Sequence, residues 1–230
     1  MKSKLPLEFL YQLLSLIIAM ILVHSIYLLI IRPSAETILE EQAQMLIEQP
    51  EFVPERSIYV VVKDFEQEAC FVLMLWAISL MGFKAKRNLR ERHILELNLI
   101  TISEATNILP EDTRAYSRPI QALETTDQDL LLPRTIMTAL HRFRSTRNIQ
   151  DVSTSIQDVC EAESERLESE LSMIRYIAWA IPSIGFLGTV RGIGQALGQA
   201  HQAVGGEITA VTQSLGVAFN STFVALLISI

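Results

Sequence analysis

The chain has 230 residues, of which half are hydrophobic and a fifth are charged, and its formal net charge is −7. It is too apolar for an ordinary soluble domain and too charged to lie wholly in lipid, so it must be divided between the two environments. The acidic balance argues against a nucleic-acid partner, because phosphate binding requires clustered Lys and Arg. The composition therefore predicts a membrane protein with a separate polar domain.

The first apolar run, Phe9 to Ile31, has 23 residues without a charge. As a helix, this length crosses about 30 Å of hydrocarbon. Lys2 and Lys4 precede it, as in a signal peptide, but no small-residue cleavage site follows, so residues 1–31 are predicted to be a retained transmembrane helix. His24, inside the run, is interpreted as a helix-packing residue in preference to a proton relay.

Residues 32–68 are acidic and are predicted to lie outside the membrane, on the side opposite the N-terminus. Ala35 to Ile47 has apolar residues at helical spacing, and Pro50 and Pro54 end the pattern. This stretch is either a short helix against the outer face of the membrane or a solvated connector.

A second apolar run covers residues 69–83 and needs a few preceding residues to span the bilayer. Five basic side chains follow at once: Lys84, Lys86, Arg87, Arg90 and Arg92. Positive charge beside a span marks the cytoplasmic side, and the lysines before the first span mark the same side for the N-terminus. The prediction is a second transmembrane helix, with the N-terminus and residues 84–172 in the cytoplasm.

Residues 84–172 are predicted to form a helical cytoplasmic domain. Ile94 to Ile108 should continue the second helix inward, and later apolar stripes have helical spacing. The acidic stretch Asp151 to Glu170 is interpreted as a solvated face, with a docking surface as the alternative. Cys70 and Cys160 differ in their surroundings, so neither a disulfide nor a metal or cofactor site is expected.

Residues 173–230 contain two apolar stretches on either side of a short polar turn, His201 to Glu207. Each stretch is long enough to cross the membrane, which predicts a transmembrane hairpin. Small residues follow one face of each helix and permit close packing. The predicted packing residues are Pro182, Gly185, Gly188, Gly192, Ala218 and Ala225. The last span stops without a polar cap or a basic flank, from which truncation at the C-terminus is expected.

Two motifs in this hairpin resemble a known family. Ala180 to Ile193, AIPSIGFLGTVRGI, resembles the A-P-x-x-G-L-L-G-T-V-x-G-I helix of the MotA/TolQ/ExbB proton-channel family, and Ala218 to Leu226, AFNSTFVAL, resembles its next helix, A-L-x-x-T-x-x-G-L. Thr189 and Thr222 match the two pore-facing threonines of that family. Val217 stands where some members have a glutamate.

The resemblance implies an all-α membrane protein with four transmembrane helices, whose long helices extend into the cytoplasmic domain. It implies a ring-shaped stator of an ion-driven motor in the bacterial inner membrane, typically a homopentamer. The implied partner is a single-span MotB/TolR/ExbD-like protein that carries an essential transmembrane aspartate. Ion flow through the ring would then drive the motor, which converts the ion-motive force into mechanical work.

The candidate pore-lining residues are Thr189, Thr222, Asn220 and Ser221. None of them ionises at physiological pH, so a carboxylate from another chain is required for proton transfer. For Ser221, as for Ser214 and Ser229, a hydrogen bond to its own helix is the favoured interpretation. The residues leave open whether the ion is a proton or sodium.

Arg191 is a charged residue within the first apolar stretch of the hairpin, where placing a charge in hydrocarbon is energetically unfavourable. It lies about ten residues before the turn, which predicts a place in the outer half of the span. The hypothesis is that it meets an acidic group of the partner, or Glu207 of a neighbouring subunit.

Two other functions are alternatives to the channel. Gly192, Gly194 and Gly198 imitate a dinucleotide-binding loop, but no β-branched strand precedes them, and another span follows. No paired carboxylates or histidines suggest catalysis, so a non-enzyme is predicted. A membrane scaffold that packs in the same way without conducting ions is the remaining alternative.

Overall fold

The computed structural model describes residues 7–49, 56–97, 99–100, 108–205 and 208–230. Every regular element in these ranges is a helix, and four of the helices are long and apolar enough to cross a membrane. Both findings confirm the predicted fold class. The basic residues Lys2 and Lys4, the prolines Pro50 and Pro54, and Glu207 lie outside the described residues.

The chain divides into two compact units. The transmembrane unit combines Met1–Met81 with Ile174–Ile230, and the middle unit is Gly82–Met173. Each is described by itself.

The first apolar run does not end where the hydropathy falls. Helix α1, Leu7–Ile26, passes through a π-helical segment, Tyr27–Ile31, into α2, Arg32–Glu48. The N–H of Arg32 bonds to the carbonyl of Tyr27, five residues back, which is the π-helical pattern. Pro33, directly after Arg32, has no N–H to donate. The stretch that was left open between a helix and a connector is therefore a helix that continues the first span.

One face of α1 is buried and the rest is exposed. Ser15, Ala19, Val23 and Tyr27 recur every four residues and face the protein. The exposed side chains of α1 are large and apolar, among them Leu14, Ile18, Ile21 and Leu22. Such a surface fits lipid and does not fit water.

The core of the transmembrane unit forms where three long helices meet: α4 (Phe65–Glu96), α8 (Ile149–Gly198) and α10 (Thr209–Ser229). Helix α3, Ile58–Val62, leads into α4, and α9, Ala200–Val204, comes between α8 and α10 in the chain. The buried core side chains are Cys70, Leu80, Ile177, Ile181 and Ala225. Trp76 Nε1 donates to the carbonyl of Gln12 at 3.1 Å, which holds α1 against α4.

Helix α8 has 50 residues and is about 75 Å long at 1.5 Å per residue. Because hydrocarbon is about 30 Å thick, only part of this helix can lie in lipid. A long helix that extends beyond the membrane agrees with the predicted fold.

The middle unit contains the end of α4, the beginning of α8 and three shorter helices. These are α5, Thr113–Gln121, α6, Thr125–Gln128, and α7, Leu131–Thr146. Arg147 ends α7 in a left-handed conformation with φ of 52°, and its N–H bonds to the carbonyl of Phe143 at 2.9 Å. Helix α4 ends at Glu96, so the predicted continuation to Ile108 is wrong for residues 97, 99–100 and 108, while residues 98 and 101–107 lie outside the described residues.

Ion pairs connect the helices of the middle unit. Arg134 of α7 contacts Glu163 at 2.7 Å, and Arg166 contacts the same carboxylate. Lys84 of α4 contacts Glu170 of α8 at 2.7 Å. The hydrogen bond from Arg166 and the one from Arg134 hold the pKa of Glu163 below its ordinary value, although burial acts in the opposite direction. Part of the acidic stretch that was interpreted as a solvated face is therefore paired within the unit.

Candidate functional site

The two helices of the hairpin meet along a seam of small residues. Gly185, Gly188 and Gly192 of α8 face Ala225, Ser221 and Ala218 of α10, respectively. A Cβ placed on Gly192 would lie 2.7 Å from both the Cβ and the backbone nitrogen of Ala218. Contacts this short leave no room for a side chain, so the backbones approach as closely as glycine allows. Pro182 lies inside α8, one turn before this seam.

Thr189 and Thr222 lie at the same seam. Their hydroxyls hydrogen-bond to each other. Thr189 Oγ1 also lies 3.0 Å from the carbonyl oxygen of Ala218, and Thr222 Oγ1 lies 3.2 Å from that of Gly185. Because each hydroxyl has one proton, only some of these bonds exist at a time. The pair can exchange donors and acceptors, but neither hydroxyl ionises at physiological pH.

The other two candidate pore residues face different directions. Ser221 is 1% exposed, packs over Gly188 and accepts a bond of 3.4 Å from Gln67 Nε2 of α4. Asn220 lines a groove of about 320 Å³ together with Lys63 and other residues. Successive residues of an α-helix point about 100° apart, so residues 220, 221 and 222 cannot share one face. The structure brings Thr189 and Thr222 together and separates them from Asn220.

The serine hydroxyls of α10 have different partners. Ser229 donates to the carbonyl of Leu226 at 2.9 Å, which confirms the expected bond to its own helix. Ser214 instead donates to Gln199 Oε1 at 3.0 Å, so the expectation was wrong for this residue. A glutamine near the hairpin turn offers a stronger acceptor than a carbonyl already engaged in the helix ladder.

Arg191 has carboxylate partners in its own chain. Its Nη2 lies 2.8 Å from Glu66 Oε2 and 3.9 Å from Asp64 Oδ1. The sequence hypothesis sought this carboxylate on another chain or at Glu207, and Glu207 lies outside the described residues. The acidic residues just before the second apolar run are the signal that could have pointed to the actual partners.

A second cluster of charges lies in the same turn of α4. Glu68 contacts Arg32 at 2.5 Å and His24 Nδ1 at 2.6 Å. The guanidinium of Arg32 also stacks over the ring of Phe65, 4.4 Å from its centroid. His24 therefore connects α1 to α4 through the Glu68 carboxylate. The interpretation of His24 as a simple helix-packing residue did not include this polar contact.

No group of three or more His, Cys, Asp or Glu side chains with metal-binding geometry occurs among the described residues. Cys70 and Cys160 are free thiols. Among its described residues, the transmembrane unit thus contains the threonine pair, the Arg191 cluster and the Glu68 cluster.

The four apolar helices and the absence of any other regular element among the described residues define an all-helical, multi-pass membrane protein. Residues 127–230 match the sequence model of the MotA/TolQ/ExbB proton channel family. The resemblance seen in the two hairpin motifs is therefore confirmed. Members of the family generally work with single-span MotB, TolR or ExbD partners. No curated protein and no solved structure matches the chain.

Proposed function

We propose that this chain is the ring-forming subunit of a proton-driven motor, which converts the ion-motive force into mechanical work through a single-span partner. The observation that carries the proposal is the Thr189–Thr222 hydroxyl pair. It lies at the hairpin seam, inside the region matched by the proton-channel family.

The hydroxyl pair supports a water-filled path but cannot supply the titrating group. A partner aspartate beside the pair would supply it, taking up a proton from one side of the membrane and releasing it to the other. Each proton that crosses is worth about 2.3 kcal/mol per 100 mV. Five copies of the hairpin around two copies of the partner would place five hydroxyl pairs around the partner carboxylates.

The same proposal includes the orientation of the chain. Lys84, Lys86 and Arg87 follow the apolar part of α4, and positive charge marks the cytoplasmic side of a span. The Phe65 end of α4, with Asp64, Glu66 and Glu68, then faces the outside. The N-terminus and the middle unit are cytoplasmic, and the membrane is the bacterial inner membrane.

The assembly is tested by native mass spectrometry of the detergent-purified complex, with the chain co-expressed beside its neighbouring genes. We expect five copies together with a smaller, substoichiometric single-span protein. A stable monomer or dimer without a partner has too few subunits to enclose a pore and would favour the scaffold alternative.

Conduction is tested with Thr222→Val and Thr222→Ser in proteoliposomes that contain the chain and its partner. Valine keeps the shape of threonine but removes the hydroxyl, whereas serine keeps the hydroxyl. Loss of one hydrogen bond along the path, worth ~1–1.5 kcal/mol, should lower proton flux about tenfold in the valine variant. The serine variant should conduct like the wild type. A scaffold should tolerate both changes equally.

A further inference from the structure

The acidic end of α4 forms a buried polar cluster that the threonine pair does not explain. The side chains of Asp64 and Glu66 are only 16% and 14% exposed. Gln67 is completely buried. Arg191 reaches this cluster from α8 and pairs with Glu66. Two carboxylates thus lie beside one guanidinium, and the buried Gln67 side chain follows Glu66 on the same turn of α4.

Three atoms of this cluster have no hydrogen-bond partner in the described part of the chain. They are the acceptors Asp64 Oδ2 and Gln67 Oε1 and the donor Arg191 Nε. The opposite end of the Gln67 amide is engaged, since its Nε2 donates to the carbonyl of Val61 at 3.1 Å. Buried polar atoms without partners are rare and costly, so each of these three atoms requires a small polar partner such as water. The two acceptors can take a hydrogen bond or a proton, whereas the Arg191 N–H can donate only to the oxygen of a neutral water molecule.

The cluster touches the hairpin beside both threonines. Gln67 Nε2 lies 3.4 Å from Ser221 Oγ, and Ser221 directly precedes Thr222. A Cβ on Gly188, which directly precedes Thr189, would lie 3.2 Å from Glu66 Cγ. The buried groups of α4 therefore reach the seam at the two positions adjacent to the hydroxyl pair.

Asp64 is the carboxylate of this cluster that is less closely paired, since it lies 3.9 Å from Arg191 whereas Glu66 lies 2.8 Å from it. Burial raises the pKa of Asp64 above the ordinary value of 3.8, against the lowering effects of Lys63, Arg191 and a hydrogen bond from Gln67. Glu66 also raises it. Helix α10 contributes only uncharged residues, such as Ser221. The neighbouring cations, Lys63 and Arg191, disfavour a metal ion here because they would repel it. A proton instead binds to the carboxylate itself and neutralises it.

We propose that Asp64, Gln67 and Arg191 form a proton-binding entrance to the ion path, distinct from the partner carboxylate. The Asp64 carboxylate takes a proton from hydronium, leaving water, and returns it to water on the seam side, which regenerates the carboxylate. Arg191 keeps Glu66 paired, so that Asp64 is the group that changes charge. This inference rests on the proposed function for its place in the path, but proton binding at Asp64 can be measured without any flux.

Proton binding is tested by infrared difference spectroscopy of the full chain in lipid, wild type against Asp64→Asn, over a series of pH values. We expect the band of a protonated carboxyl group to disappear on lowering the proton concentration, with a midpoint above pH 3.8. Glu40→Gln removes an exposed carboxylate of α2 and should leave this band in place. An Asp64 that stays ionised down to its ordinary pKa would overturn the proposal, as would a protonated band that sodium abolishes at constant pH.

The role in conduction is tested in proteoliposomes with the partner present. Asp64→Asn should lower proton flux about tenfold, the effect of raising the barrier by ~1.4 kcal/mol, and should flatten its dependence on the pH of the side that Asp64 faces. Asp64→Glu should restore both, and Glu40→Gln should change neither. Wild-type flux and pH dependence in Asp64→Asn would contradict the entrance. A wild-type complex that conducts no protons would instead contradict the proposed function, and the infrared titration would still decide whether Asp64 binds a proton.

Discussion

The close approach of α8 and α10 predicts that Gly192→Ala weakens the transmembrane unit. The added Cβ would lie 2.7 Å from the backbone nitrogen of Ala218 and 2.8 Å from the carbonyl oxygen of Ser214. Both of these neighbours are backbone atoms, so no side chain can rotate away. The helices must separate by about 1 Å to reach an ordinary contact distance of 3.5–4.0 Å.

The free energy of this change has two opposing parts. Overpacking a tight contact costs about 1–3 kcal/mol. Alanine is favoured over glycine in a helix by up to about 1 kcal/mol, which offsets part of that cost. We therefore expect Gly192→Ala to lower the free energy of unfolding by ~0–2 kcal/mol relative to the wild type, and by ~1–3 kcal/mol relative to a Gly→Ala change that causes no overpacking.

Gly194→Ala is the matched control, because it makes the same chemical change in the same helix. No atom lies within 4 Å of the position that its Cβ would take. It should leave the free energy of unfolding unchanged or raise it by up to ~1 kcal/mol. The measurement is steric trapping of the full chain in bicelles, with both variants compared with the wild type. If Gly192→Ala proved as stable as Gly194→Ala, the close packing at this seam would be refuted.

Three further predictions concern other contacts. Arg191→Ala leaves Glu66 without its cation and should lower the free energy of unfolding by ~1–3 kcal/mol in the same assay; an unchanged value would rule out the ion pair as a stabilising contact. Because the pKa of Glu163 is held below its ordinary 4.5, its ionised form stabilises the middle unit above that pH, and the contribution is lost as the pH falls through the folded-state pKa. Glu163→Gln should remove this acid-dependent loss from thermal melts followed by circular dichroism, whereas melts that keep the wild-type pH dependence would contradict the assignment. Trp76→Phe deletes the donor to the Gln12 carbonyl and should cost ~1 kcal/mol, measured by steric trapping, and equal stability would show that this bond contributes nothing.

Some of these features could be predicted from the sequence because they depend on local composition. A span requires about twenty apolar residues wherever it lies in the chain, so hydropathy finds the membrane helices. The two hairpin motifs similarly identified the family, since their glycines, threonines and spacing lie within short continuous stretches. Their role in lining a pore stays a prediction.

Other boundaries could not be predicted in the same way. Hydropathy marks where a helix leaves lipid, but the helix itself continues as long as its backbone bonds are satisfied. The first helix therefore runs past Ile31 through the π-helical segment to Glu48. Helix α4 shows the converse, because apolar spacing beyond Glu96 suggested a helix that does not continue there.

The sequence by itself thus determined which segments are apolar enough to enter the membrane, which faces are small enough to pack and which family the hairpin motifs resemble. Only the tertiary structure decided which side chains meet. Arg191 and Glu66 are 125 positions apart, and nothing in the local pattern distinguishes Glu66 from the other acidic residues between the first two spans. A charge near lipid needs a partner of opposite sign but accepts any that the packing brings within reach. The packing of α4 against the hairpin makes that choice, because it places one end of α4 beside Gly188 and Ser221.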